Sequence, residues 1–312
     1  MRRDHERDRA SPRRSRGVAL LSALLVVALA TTAAAPMLNQ LQMGIRKSGN
    51  LFTRDQAHEY LIGIEQFALI LLQRDRENNQ VDHLDEFWAR DLPPLPVEGG
   101  TITGRVTDLQ SRININSLFD SRGKLDPLTQ ERLAALFGLL EIPPERVEAV
   151  VDWIDPDSEP TGNQGAEDNY YFSSSPPYRA ANQRYTSPDE LRLLRDLTPT
   201  QANALIIAVS VFPGVGNVNI NTATDLTLQA LGLEGSALDT VKNARPFDNL
   251  EAFKQLNLIP NDKLGRISVN TEYFLLEATA RIGRAEQRSY SIIHRAARGG
   301  SPRVVARSLN TP

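Results

Sequence analysis

The chain contains no cysteine in 312 residues, which excludes a disulfide framework and all thiol chemistry. Histidine is nearly as scarce: the four (His5, His58, His83 and His294) are scattered along the chain. A Gly-x-Ser-x-Gly elbow, a His-Glu-x-x-His helix and a phosphate-binding glycine loop are all missing. These absences argue against an enzyme. A basic surplus is lacking too. The net charge of −3 is the wrong sign for the broad cationic footprint of a nucleic-acid binder. The most informative absence is local, because no side chain from Gly17 to Ile45 is ionisable.

That uncharged run follows a leader with seven Arg and three acids in residues 1–16. Val18 to Leu38 is almost wholly apolar or small. At about 1.5 Å of rise per residue, about 20 such residues cover a hydrocarbon core of about 30 Å. Arginine ahead of the span holds that end in the cytoplasm and sends the rest outward. A single-pass inner-membrane protein is expected, with its N-terminus cytoplasmic and its bulk periplasmic. Secretory-type cleavage after Thr32-Ala33-Ala34-Ala35 would leave Pro36 first, a poor choice. Arg16-Gly17-Val18-Ala19-Leu20-Leu21 instead resembles a prepilin-type signal, cut between Gly17 and Val18 with the helix retained. Major pilins and pseudopilins carry Glu at the fifth mature position, and here that position is Ser22. A carboxylate inside the membrane is costly unless paired, so its absence suits a tip subunit that pairs with no neighbouring N-terminus.

Beyond the membrane, residues 46–73 continue as an amphipathic helix. Ala57, Tyr60, Leu61, Ile64, Phe67, Ala68, Leu71 and Leu72 recur at three- and four-residue spacing. Gly100 to Asp108 alternates as a strand, and Tyr273–Ile282 and Arg288–His294 read as two more, joined by a turn at Gly283-Arg284. The expected fold class is α+β: a long helix on an antiparallel sheet interrupted by an inserted, mainly helical domain. The insert contains an echo. Ile113-Asn114-Ile115-Asn116-Ser117 recurs 105 residues later as Val218-Asn219-Ile220-Asn221-Thr222, each copy reading as a short strand feeding a helix pair.

The acidic loop from Asp155 to Asp168 is the leading site candidate, with five carboxylates in fourteen residues. These groups repel one another unless a cation or basic groups intervene. Calcium takes six to eight oxygen ligands in irregular geometry, which a loop containing Gly and Asn suits. It is not an EF-hand, because Pro160 stands at the sixth position and Ala166 at the twelfth. Glu167 and Asp168 are the stronger expected ligands, with Asp155 and Asp157 next. The aromatic run Tyr170-Tyr171-Phe172 and Pro176-Pro177-Tyr178 is read as pinning the loop. The second echo also resembles helix-hairpin-helix modules, some of which bind DNA. Its turn, Gly232-Leu233-Glu234-Gly235, places an acid where phosphate would approach. A membrane-anchored periplasmic binding module for DNA uptake is the alternative reading.

Taken together, Arg16-Gly17, Ser22, Asn114-Ile-Asn116, Asp152-Trp-Ile-Asp155-x-Asp157, Gly165-Ala-Glu167-Asp168, Pro176-Pro-Tyr-Arg-Ala-Ala-Asn182 and Glu190-Leu-Arg192 resemble the K subunit family of type II secretion. The resemblance runs from about residue 16 to 295. It implies a pseudopilin fold carrying a large helical insert, a place at the tip of the periplasmic pseudopilus, and minor pseudopilins I, J and H as partners. It further implies structural calcium in the insert, cleavage by prepilin peptidase, and methylation of the new Val18 amine. The expected organisation is a leader at 1–17, a transmembrane helix at 18–45, the pseudopilin helix and first strands at 46–111, the insert at 112–265, C-terminal strands at 266–296 and a disordered tail at 297–312.

Overall fold

The computed structural model describes residues 15–91, 93–296 and 300–309; most of the expected leader, residues 1–14, lies outside them. The elements in chain order begin with the helix α1 (Ser15–Asn78) and the strands β1 (Leu95–Val97) and β2 (Gly100–Asp108). The insert follows, with β3 (Ile113–Asn114), α2 (Pro127–Leu139), α3 (Val147–Ile154), α4 (Asp168–Tyr171), α5 (Pro199–Ala208) and β4 (Val209–Ser210). It continues through β5 (Val218–Asn219), α6 (Asp225–Ala230), α7 (Ser236–Ala244), α8 (Leu250–Lys254) and β6 (Ile267–Ser268). The chain then returns as β7 (Tyr273–Ile282), β8 (Ala285–His294) and β9 (Arg303–Leu309).

Two compact units divide at Gln56 and Ala57. The first is helical, and its apolar window has a mean hydropathy of 2.3 with none of it buried. It is long and apolar enough to cross a membrane. The second unit holds a five-stranded sheet of order β1-β2-β7-β8-β9, antiparallel throughout. The alternation in β7 sends Phe274, Leu276, Ala278, Ala280 and Ile282 to one face. There they meet Ala57, Leu61, Ala68 and Leu72 of α1, and each fully buried leucine contributes about 1.5–3 kcal/mol. The helix comes so near β2 that a Cβ at Gly104 would lie 2.9 Å from Ile64 Cγ2. Phe67, expected in the buried stripe, is instead half-exposed.

Two expectations need correction. The tail expected to be disordered at 297–312 contains β9, paired along β8 from His294–Arg303 to Ser289–Leu309. Gly300, at φ 85°, sits in the connection between the two strands. What holds the strand is Arg307, whose guanidinium binds the buried Glu65 carboxylate of α1 at 2.5 and 2.9 Å. The insert is also wider than 112–265. It fills the interval from Asp108 to Tyr273 and includes β6, which pairs in parallel with β5.

The echo is a structural repeat. Asn116 brackets Tyr185, accepting from its N–H at 2.8 Å and donating to its carbonyl at 2.9 Å. Asn221 brackets Phe247 in the same way at 2.8 and 3.0 Å. After each aromatic a capped helical turn follows, opened by Ser187 in the first copy and Asn249 in the second. Each opening strand pairs in parallel with the strand closing its copy, β3 with β4 and β5 with β6. From the second Asn to the aromatic is 69 residues in the first copy and 26 in the second. The surplus in the first copy contains the acidic loop and the aromatic run.

Candidate metal centre

Helix α3 supplies the frame of the site. Val147, Val150, Val151 and Ile154 are buried in the insert's core, which leaves Glu148 and Asp152 four residues apart on one helix face and Asp155 just past the helix end. The loop folds back over these carboxylates. Thr161 N–H donates to Asp152 at 3.0 Å, and Gln164 N–H donates to Glu148 at 2.7 Å. Gly162 lies at φ +58°, where only glycine is unstrained, and a Cβ there would fall 2.4 Å from a Glu148 oxygen. At Gly165 a Cβ would meet Asp152 Oδ2 and the Thr161 carbonyl, both at 2.4 Å. Gly165→Ala is therefore expected to cost about 1–3 kcal/mol, read as a lower denaturant midpoint in equilibrium unfolding. An unchanged midpoint would show that the loop does not close on α3.

The far end of the loop is pinned as expected. Tyr171 is fully buried, edge-on to Trp153 at 5.5 Å and stacked on Tyr178 at 5.0 Å. The Tyr170 hydroxyl donates to Asp196 at 2.9 Å, and Arg195 holds the Gly165 carbonyl at 2.9 Å.

The folded loop brings Asp155, Asp157 and Glu167 together, with one oxygen from each lying within 4.8 Å of the others. That spacing matches oxygens bound around one ion at 2.3–2.6 Å. Asp155 Oδ1 and both Glu167 oxygens are buried with no hydrogen-bond partner among the described residues. Burial first, and then the neighbouring carboxylates, push Asp155 up to about 6 and Glu167 up to about 7. A buried, unpaired carboxylate is costly, and two of them converging with the exposed Asp157 ask for a cation. Asp168, the fourth expected ligand, turns away. It accepts from Ala180 N–H at 3.1 Å and faces Arg179 at 3.9 Å. Asn182, which no local pattern marks as a site residue, donates to the Asp157 carbonyl at 3.2 Å. Its buried Oδ1 has no partner among the described residues, so it offers a neutral oxygen near Asp157.

A second acidic group, Asp75, Asp82 and Glu86, is already satisfied. Buried Arg295 binds Asp75 at 2.8 Å and also binds Asp82. Glu86 accepts from Trp88 Nε1 at 2.6 Å and from Asn79 Nδ2 at 2.5 Å. Beside it Asp108, where β2 ends and the insert begins, accepts from Thr222 and Thr271 hydroxyls at 2.5 and 2.6 Å and from Asn219 at 3.1 Å. Burial is the main cause that pushes Asp108 and Asp75 up to about 6. The folded state thus keeps protons that the unfolded chain has lost above about 4. This stabilisation is complete below the unfolded value and is lost as pH rises through about 6. With chelator present, the melting temperature should fall from pH 5 to pH 7.5, and Asp108→Asn should flatten the slope. A melting temperature that rises over that window would contradict this.

Each base near the second hairpin makes a local contact. Lys242 pairs with Asp225 at 2.7 Å, Lys254 pairs with Glu251 at 2.7 Å, and Arg245 donates to the Ala223 carbonyl at 3.0 Å.

A family model for type II secretion system (T2SS) protein K matches residues 111–214. The type II secretion system protein K of Pseudomonas aeruginosa is 34% identical over 310 residues, spanning 94% of this chain and 92% of its own length. That of Aeromonas hydrophila is 31% identical, spanning 91% and 94% respectively. Among solved structures, a chain of the GspK–GspI–GspJ complex from the enterotoxigenic Escherichia coli type 2 secretion system matches with a TM-score of 0.76 at 24% identity. That match covers 85% of this chain and 100% of that one, so the two share a fold. With identity above 30% sustained over nearly the whole length of both proteins, this chain belongs to the type II secretion system protein K family.

Proposed function

We propose that this chain is a non-enzymatic minor pseudopilin that occupies the tip of a periplasmic pseudopilus in type II secretion, initiating or capping its assembly. The observation that carries the reading is the combination of α1 lying on an antiparallel sheet with a bulky insert between β2 and β7. A pilus subunit offers its helix to the assembly below, and an insert of more than 150 residues obstructs addition above. Ser22 in place of Glu agrees, since a terminal subunit has no further N-terminus to neutralise. The apolar half of α1 is read as an inner-membrane anchor, with the arginine-rich leader cytoplasmic and the second unit periplasmic.

The partners proposed are minor pseudopilins I and J, by analogy with the complex solved for the E. coli relative, together with H and prepilin peptidase. Calcium is proposed as a structural ion held by Asp155, Asp157 and Glu167, where it would supply positive charge to the orphaned oxygens. Co-expressed with the I- and J-type subunits of its own system, the full chain should co-purify with both in detergent. Recovery of this chain alone under those conditions would defeat the partner reading.

A further inference from the structure

The sheet has a second face, turned away from α1, on which Leu275, Tyr290 and Ile292 lie alternately to the buried positions. Between this face and α5 runs a groove of about 740 Å³ that reaches β9 at the sheet edge. One wall carries Ile206 and Ile207, and Ile207 is 69% exposed, more than any other large apolar side chain beyond residue 56 among those described. Arg112, immediately ahead of β3, also lines the groove.

The charges around the groove are unequal. Arg307 is bound to Glu65 and Asp189 to Arg192. The Arg112 guanidinium has no hydrogen bond and no ion pair among the described residues; Asp108 and Glu277 act on it only through space. Burial lowers its proton affinity, which marks a cation partly stripped of water. Glu277 lines the same groove but is solvent-exposed, so it keeps access to water. A desolvated cation without a partner is the costly member of the two.

We infer that this groove receives an extended segment of a partner pseudopilin, apolar in character and carrying one Asp or Glu that pairs with Arg112. The apolar walls exclude water around the new ion pair and strengthen it. The burial of Ile207 adds the hydrophobic part, and Arg112 fixes the register of the segment. The inference rests on the reading of the chain as a pseudopilin that binds other pseudopilins, and it adds where one of them docks and by what chemistry.

The test is photocrosslinking in the full chain, co-expressed with the other pseudopilins of its system, with p-benzoylphenylalanine in place of Ile207. The expected adduct is a partner peptide containing Asp or Glu among apolar residues. Arg112→Glu should lower its yield by at least about tenfold, as expected for removing one side of a desolvated pair. Replacing the partner acid with Lys should restore the yield in that background. Arg112→Gln, which removes the charge and keeps the bulk, should also lower the yield, while the melting temperature monitors folding. Adducts only with lipid or with a second copy of this chain would overturn the inference. So would an intact complex with no adduct at position 207, or a yield indifferent to both Arg112 substitutions. Failure of any complex to form with the wild-type chain would instead bring down the pseudopilin reading, and this inference with it.

Discussion

Calcium at about one hundred times its dissociation constant should raise the melting temperature of the wild-type chain by about 5–10 °C. Binding to the folded state alone at that excess is worth about 2.7 kcal/mol, and 1 kcal/mol moves a domain of 150–250 residues by about 2–4 °C. The expected effect comes from the charge that the ion would neutralise. Three buried oxygens of Asp155 and Glu167 have no hydrogen-bond partner among the described residues, so the folded loop carries repulsion that the unfolded chain relieves in water.

The same geometry predicts an inverted outcome for the double variant Asp155→Asn with Glu167→Gln. Two neutral amides in the same space remove the repulsion, so the variant should melt higher than wild type in chelator. It should also show no calcium-induced shift. Magnesium should not substitute for calcium, because it demands near-octahedral geometry and sheds its water reluctantly, whereas this loop offers side chains of irregular spacing. The check is a melting curve for both proteins with chelator, calcium and magnesium. A wild-type curve that is the same in chelator and calcium would refute the metal centre. Asp168→Asn is an internal control. Its carboxylate faces Ala180 and Arg179, so the variant should retain most of the calcium shift while melting lower throughout.

What could be read from the sequence was whatever has a local period or a local cause. The stripe on α1 and the alternation of β2 and β7 follow from residue spacing, as does the doubled Asn motif, and each appears in the structure. The acidic loop was legible because five like charges in a short segment need an explanation. Which of those charges turn inward was not legible, since that depends on how the loop closes. Asp168 opens α4 and is drawn to a backbone amide twelve residues on, while Asp157 is held by Asn182 from twenty-five residues away.

Long-range pairs left no local mark at all. Glu65 sits in the apolar stripe like any solvated helix glutamate, yet it is buried because Arg307, 242 residues later, reaches it. The glycines and proline ahead of β9 suggested disorder for the same reason. The strand's justification lies on another element. Asp108 reads as the end of a strand, and apart from the Gln110 N–H that it caps, its partners are 111 to 163 residues distant. Hydrophobic patterning organises neighbours along the chain, whereas a buried ion or carboxylate is placed by whichever distant donor arrives, so single-sequence periodicity is blind to it.

Replacing Gly17 with Val should abolish maturation and, with it, secretion by the whole system. The expectation follows from the charges on either side of the proposed cut. Ahead of it stand seven Arg in sixteen residues, and beyond it no ionisable side chain occurs until Arg46. While the leader is attached, drawing the helix out of the bilayer toward a growing pseudopilus means drawing those arginines through hydrocarbon, at about 2.5–3.5 kcal/mol each near the midplane. No packing of α1 against a neighbour offsets several such terms together. Cleavage after Gly17 removes the barrier and leaves one N-terminal amine on Val18, a lesser charge that methylation retains. Intact-mass measurement on protein recovered from membranes, co-expressed with a prepilin peptidase, should find wild type beginning at a methylated Val18 and the variant still bearing its leader. Export of the system's substrates, assayed in a strain that depends on this chain, should fall to background with the variant. A variant that matures at Val18 would refute the assignment of the processing site, and an uncleaved variant that still supports secretion would show that the subunit acts without leaving the membrane.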